Sequence, residues 1–163
     1  MVKPLRRPPA IKVLEAAAAL GDRRVRILAG GSAGVWVARV SSSGRPREYL
    51  VVVEPRGAGQ VYAYSDDNGT RFRGYVGYPI LSLMMAAGLL PRDEEIERLL
   101  SGVNWTLLNE RMRSYAKVLE HLRKTRIPGE KWGRVERFMA EVLARLRGIK
   151  VYYDPSLPSK ALA

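Results

Sequence analysis

Between Arg23 and Val76 apolar and polar residues alternate in short bursts, and glycine-rich turns separate one burst from the next. A period of two sends successive side chains to opposite faces, which is the pattern of an antiparallel sheet with one buried side. Five strands are expected: Arg23–Ala29, Val35–Ser41, Glu48–Glu54, Gln60–Tyr64 and Thr70–Val76. The connections are short, so sequential strands should be neighbours in a meander. Asp66-Asp67-Asn68-Gly69 reads as the tightest hairpin turn, because Asn-Gly accepts the positive φ such turns need.

Outside this stretch the period changes to that of helices. An alanine-rich segment, Ile11–Leu20, precedes the sheet and stops at Gly21. After Tyr78 come a buried apolar helix opened by Pro79, a short helix with Asp93, Glu94 and Glu95 in its first turn, and two long helices. The first long one carries the seam Trp105, Leu108, Met112, Tyr115, Leu119, Leu122, spaced alternately by three and four. Ile127-Pro128-Gly129 separates it from a second helix over 130–147, which predicts an antiparallel helical hairpin. The fold class is therefore α+β: an N-terminal helix, a five-stranded antiparallel meander and a helical C-terminal half. Residues 10–153 read as one domain, with a sheet part (22–76), a helical part (78–148) and a last strand at 149–153 that returns to a sheet edge. A basic arm (1–9) precedes it and a tail (154–163) follows.

Composition narrows function by exclusion. Of 163 residues none is cysteine, which removes disulfides, zinc–thiolate sites and thiol nucleophiles. No apolar run is long enough for a membrane span, and the reading is a cytoplasmic protein with no membrane partner. Arginine outnumbers lysine 21 to 7, a balance that suits a hot cytoplasm. No cofactor and no metal site are expected. Gly30-Gly31-Ser32-Ala33-Gly34 is followed by a strand and not a helix, so it is a hairpin turn and not a phosphate loop. Asp66 and Asp67 near Glu54 are turn acids, and the single histidine, His121, is a helix-surface residue.

The formal charge of +12 points instead to polyanions. Arg24 and Arg26 on the first strand, and Arg71 and Arg73 on the fifth, should leave the core on their own strands. Tyr62 and Tyr64 share a face, and Tyr75 shares that of Arg71 and Arg73. Arginines beside flat rings are how single-stranded bases are stacked and their phosphates neutralised. A second basic group, Arg123, Lys124, Arg126, Lys131 and Arg134, gathers at the tip of the helical hairpin, offset in sequence only by Glu130. Noncatalytic nucleic-acid binding, single-stranded RNA or DNA before duplex, is the leading expectation, within a larger complex. A protein-interaction subunit or homodimer docking through Trp105, Leu108, Met112 and Tyr115 is the second. An enzyme acting on a phosphorylated or acidic small molecule is the third, and a deep pocket would favour it.

Overall fold

The computed structural model describes residues 1–31, 34–44 and 47–162. The basic N-terminal stretch opens with a two-residue strand, β1 (Lys3–Pro4), and leads into the helix α1 (Ile11–Gly21). Ala16, Ala17, Ala18 and Ala19 are all fully buried, since α1 packs against several helices at once and only small side chains allow that approach. Gly21 ends α1, and a Cβ there would lie 2.2 Å from the Glu97 carbonyl oxygen.

The next four strands follow the alternation. β2 (Val25–Ala29), β3 (Trp36–Ser41), β4 (Glu48–Pro55) and β5 (Gln60–Ser65) pair antiparallel in sequence order. Ala38, Val40, Val51, Val53, Val61 and Ala63 face the helices and are buried, each larger side chain contributing about 1.5–3 kcal/mol. Ser32 and Ala33 of the β2–β3 turn lie outside the described residues, as do Arg45 and Pro46 of the β3–β4 loop. The described part of that loop is not simply exposed. Ser43 is buried, where its Oγ accepts the Trp105 N–H at 2.8 Å and its carbonyl accepts the Thr106 hydroxyl at 2.6 Å.

The expected fifth strand, 70–76, is absent, and the Asn-Gly hairpin with it. A short helix, α2 (Asn68–Arg71), replaces them. The competing signal is an N-cap: the Asp67 carboxylate accepts the Thr70 N–H at 3.1 Å and the Thr70 hydroxyl at 2.8 Å. Gly77 lies against the same carboxylate, where a Cβ would sit 2.2 Å from Oδ2. The place beside β5 goes to the last strand, β6 (Lys150–Tyr153), which runs parallel to β5 and pairs antiparallel with β1 on its other side. The sheet thus has six strands in the order β1-β6-β5-β4-β3-β2, mostly antiparallel.

Most of the helices lie on one face. α3 (Tyr78–Ala86) is buried nearly throughout and lies on β3, β4 and β5, while α1 packs on α3, on α4 (Glu94–Leu99) and on the last long helix. The first arm of the expected helical hairpin is two helices, α5 (Trp105–Met112) and α6 (Tyr115–Thr125). Arg113 stands between them at φ +52°, and the Ser114 hydroxyl caps α6 by accepting the Lys117 N–H at 3.3 Å. This break turns Val118 and Leu122 into the core and Tyr115 out of it. A 3-10 turn (Gly129–Lys131) leads to α7 (Trp132–Arg147), which buries Val135, Phe138, Val142 and Leu146. The expected tail holds a short helix, α8 (Leu157–Ala161), whose fully buried Leu157 covers Val37 and Val52 on the opposite face of the sheet. No helix among the described residues is long and apolar enough to cross a membrane.

Candidate nucleic-acid interface

Asp67 caps α2, and the short helix ends at Phe72. The chain then turns back at Gly74, φ +72°, and runs beside the N-terminal segment. The Arg6 N–H donates to the Gly74 carbonyl at 2.8 Å, the Val76 N–H donates to the Arg6 carbonyl at 3.1 Å, and the Arg6 guanidinium reaches the Arg73 carbonyl. These bonds fix Arg6 and Arg7 next to Arg73. On the other side, the left-handed turn at Arg113 brings that guanidinium and Tyr115 toward them.

The result is a cleft of two adjoining hollows, about 400 and 470 Å³. Arg73, Asn109, Arg113, Ser114 and Tyr115 line the first; Arg6, Arg7, Pro8, Pro9, Arg73, Tyr75 and Tyr115 line the second. No acidic side chain is among them. All four arginines are exposed, so their charges act on whatever enters from solvent. Beneath the cleft the buried Glu15 carboxylate pairs with Lys12 Nζ at 2.5 Å and accepts from Asn109 Nδ2 at 3.1 Å, and Lys12 lies 5.1 Å from the Tyr115 ring centre. Burial alone lowers the Lys12 pKa, but the charge of Glu15 and its hydrogen bond outweigh that and hold the ammonium above its ordinary value. Burial, then a hydrogen bond with Tyr115, pushes the Tyr75 phenol well up, so it stays protonated throughout the neutral range.

The residues singled out in the sequence divide among several places. Arg73, Tyr75 and Tyr115 meet in the cleft. The alternation expected over 70–76 holds for Arg71 and Arg73, which are exposed, and for buried Val76, but fails at two rings: Tyr75 is only 7% exposed, while Phe72 is 74% exposed, between Arg71 and Arg73. Phe72, not Tyr75, presents the open ring, and the Arg71 guanidinium lies 5.3 Å from its centre. Tyr62 and Tyr64 share the outer sheet face as expected, but their rings are occupied. Arg56 sits 3.6 Å above Tyr62, which also meets Tyr152 at 5.2 Å, and Tyr64 stacks on Tyr153 at 5.8 Å. Arg26 is exposed on the edge strand β2, whereas Arg24 is half-buried and bonds Asp22 and the Ser41 carbonyl.

The hairpin tip is less positive than its sequence suggests. Lys131 pairs with Glu95, and Arg134 with Asp93 at 2.8 Å as well as with Glu95. Partial burial pushes Asp93 up, but the Arg134 hydrogen bond and two backbone N–H groups of α4 together hold it below the usual carboxylate range. The hydrogen bond from Lys131 does the same for Glu95. Arg123 lies 5.3 Å from the Trp132 ring centre, Lys124 stands 3.9 Å from Glu120, and Arg126 is exposed. Of the seam proposed for docking, Trp105 is a core residue at 3% exposure and Leu108 and Met112 are half-buried against the core.

The acids considered for metal binding are otherwise engaged. Asp66 accepts the Leu50 N–H at 3.1 Å, Asp67 caps α2, and Glu54 pairs with Arg56. Among the described residues no three His, Cys, Asp or Glu side chains gather to hold an ion.

Fold and cleft together define a small basic α+β protein with an arginine-walled groove at the junction of its N-terminal segment, α2 and α5. The chain belongs to the family described as "Uncharacterised conserved protein UCP014422", whose model matches residues 5–152, a span that takes in every residue of the cleft. None of the curated proteins and none of the solved structures compared with it matches the chain.

Proposed function

We propose that this protein binds single-stranded nucleic acid without catalysis, holding the phosphates along the cleft between Arg6, Arg7, Arg73 and Arg113. The observation that carries this reading is four arginines around two adjoining hollows that no acid lines, in a chain of net charge +12. Guanidinium groups match phosphate oxygens in pairs, and their binding releases condensed counterions from the strand. Phe72, exposed beside Arg71 and Arg73, offers a base the flat face that only an unpaired strand can use. Binding is preferred to catalysis because the cleft walls carry arginines and neutral side chains, with no carboxylate or imidazole among them to move a proton. A cysteine-free chain suits a reducing compartment, and we place the activity in the cytoplasm, within a larger nucleic-acid-processing assembly.

The test is a titration of labelled single-stranded RNA, single-stranded DNA and duplex DNA at two salt concentrations. The expected result is micromolar or tighter binding to single strands that weakens as salt rises. Binding to duplex alone would move the site away from Phe72, and no binding at low salt would end the reading.

A further inference from the structure

Next to the cleft lies a third cavity of about 220 Å³, sharing Asn109 with one hollow and Tyr75 with the other. It is enclosed on several sides by rings, those of Tyr49, Tyr75, Tyr78 and Trp105, and by the polar side chains of Lys12, Glu15, Arg24 and Asp67. Among the described residues the buried N–H groups at Arg24 Nη2 and Trp105 Nε1 have no hydrogen-bond partner, while Glu15 Oε2 is held at 2.5 Å by Lys12 Nζ. All four residues line this one cavity. Native interiors rarely leave such atoms unsatisfied, and two N–H donors without a partner beside a single void make it a candidate for a bound group that accepts from both.

The chemistry of the lining narrows the ligand. Arg24 and Trp105 offer N–H donors, and the Glu15 carboxylate, held by Lys12 and Asn109, keeps lone pairs that can accept one more N–H. The complementary group carries an acceptor for the first two and an N–H for the third, on a flat body that four aromatic rings can flank. A volume of about 220 Å³ is below the roughly 300–1,000 Å³ that whole drug-sized ligands occupy, so it admits one ring system and leaves a sugar and phosphate outside. Nucleobase edges place donors and acceptors side by side, and extruded bases are read in this way, between aromatic side chains with bonds to their pairing edge.

We propose that this cavity takes a single nucleobase, turned out of a strand whose phosphates lie on the arginine cleft. The inference rests on the strand-binding reading for the position of the phosphate but stands on different atoms. Burial pushes the Tyr78 phenol up, as it does that of Tyr75, so both rings stay uncharged in the neutral range.

The experiment compares the four nucleoside 5′-monophosphates, the four nucleosides and ribose 5-phosphate by calorimetry on the full chain. In parallel, indole emission is followed in a Trp36→Phe/Trp132→Phe variant, where Trp105 is the one remaining tryptophan. The expected result is at least one nucleotide binding tenfold or more tighter than ribose 5-phosphate, with a change in Trp105 emission. Trp105→Phe keeps a ring and deletes the N–H, and it should erase most of that preference while leaving ribose 5-phosphate affinity unchanged. Equal affinity for nucleotides and ribose 5-phosphate would overturn the base pocket even if oligonucleotides bind. So would the absence of any nucleotide or nucleoside binding at millimolar concentration. Nucleosides that bind while oligonucleotides do not would support the pocket and remove the strand.

Discussion

The hairpin tip and the cleft carry similar numbers of basic side chains and differ in what answers them. At the tip, Asp93 and Glu95 come from α4 to meet Lys131 and Arg134, so two of its cations serve to brace α4 against α7. At the cleft no acid lines the walls, and the nearest buried carboxylate, Glu15, is already engaged by Lys12 and Asn109. Density of Lys and Arg along a sequence is thus a poor guide to electrostatic potential. The acids that cancel it arrive from elsewhere in the chain.

The largest effect should come from setting the two regions directly against each other. Reversing Arg73 and Arg113 to Glu should lower single-strand affinity about 100-fold at moderate salt. It should also flatten the slope of log affinity against log salt by roughly 1.4 or more, about 0.7 for each phosphate no longer neutralised. The same reversal at Arg123 and Arg126 should change affinity less than threefold, as read by fluorescence anisotropy. If the two doubles were equal, the cleft would lose its special standing. Phe72→Ala comes next: stacking on an exposed ring is worth about 1–3 kcal/mol per base, so affinity should fall roughly 5- to 150-fold. The denaturation midpoint should not move, because the ring is 74% exposed.

A smaller effect, with two signs, is expected at Arg113. Its φ of +52° is costly for a residue that carries a Cβ, so Arg113→Gly should gain stability, by about 1 kcal/mol, while weakening the hold on one phosphate. Chemical denaturation and anisotropy on the same variant check both halves. Smallest of all, Asp93→Asn with Glu95→Gln should release Lys131 and Arg134 and raise oligonucleotide affinity two- to threefold, making the tip resemble the cleft. Both acids have folded pKa values below their unfolded ones. Their contribution to stability is therefore complete above the ordinary carboxylate range, about pH 4, and is lost as pH falls through the lower folded values. Thermal melting should show a steeper acid limb in the parent chain than in the neutral variant.

Much of the fold was legible because burial and period agree over it. From Val25 to Ser65, alternation, turn glycines and valine runs all favour strands, and β2 to β5 form where expected. The failure at residues 68–76 has a local cause. Asn68-Gly69 favours a hairpin, but Asp67 with Thr70 three residues on favours an N-cap, and the cap wins once Gly77 allows the chain to close on the Asp67 carboxylate. That one exchange turned Phe72 outward and Tyr75 inward. The break of the long helix had a signal too, in Ser114, which the unbroken apolar seam obscured. Arg6 and Arg7 were visible as a basic arm, but nothing local shows that main-chain bonds to Gly74 and Val76 make them a wall of the cleft. The cavity behind it was not legible, since Lys12 and Glu15, Arg24, and Trp105 come from three separate elements.

The position of β6 sets a timetable. Chains are made from the N-terminus, yet Lys3 and Pro4 pair only with Tyr153 and Tyr152, and β6 slots between β5 and β1 only once residues 150–153 have been made. Until then β5 is an open edge and the residues just before Arg6 lack their main-chain partners in β6. Such distant pairings form late and slowly. A nascent chain halted before residue 150 would therefore expose β5 as an unpaired edge and leave β1 without a partner strand, so the arm that carries Arg6 would be held by its bonds to Gly74 and Val76 alone.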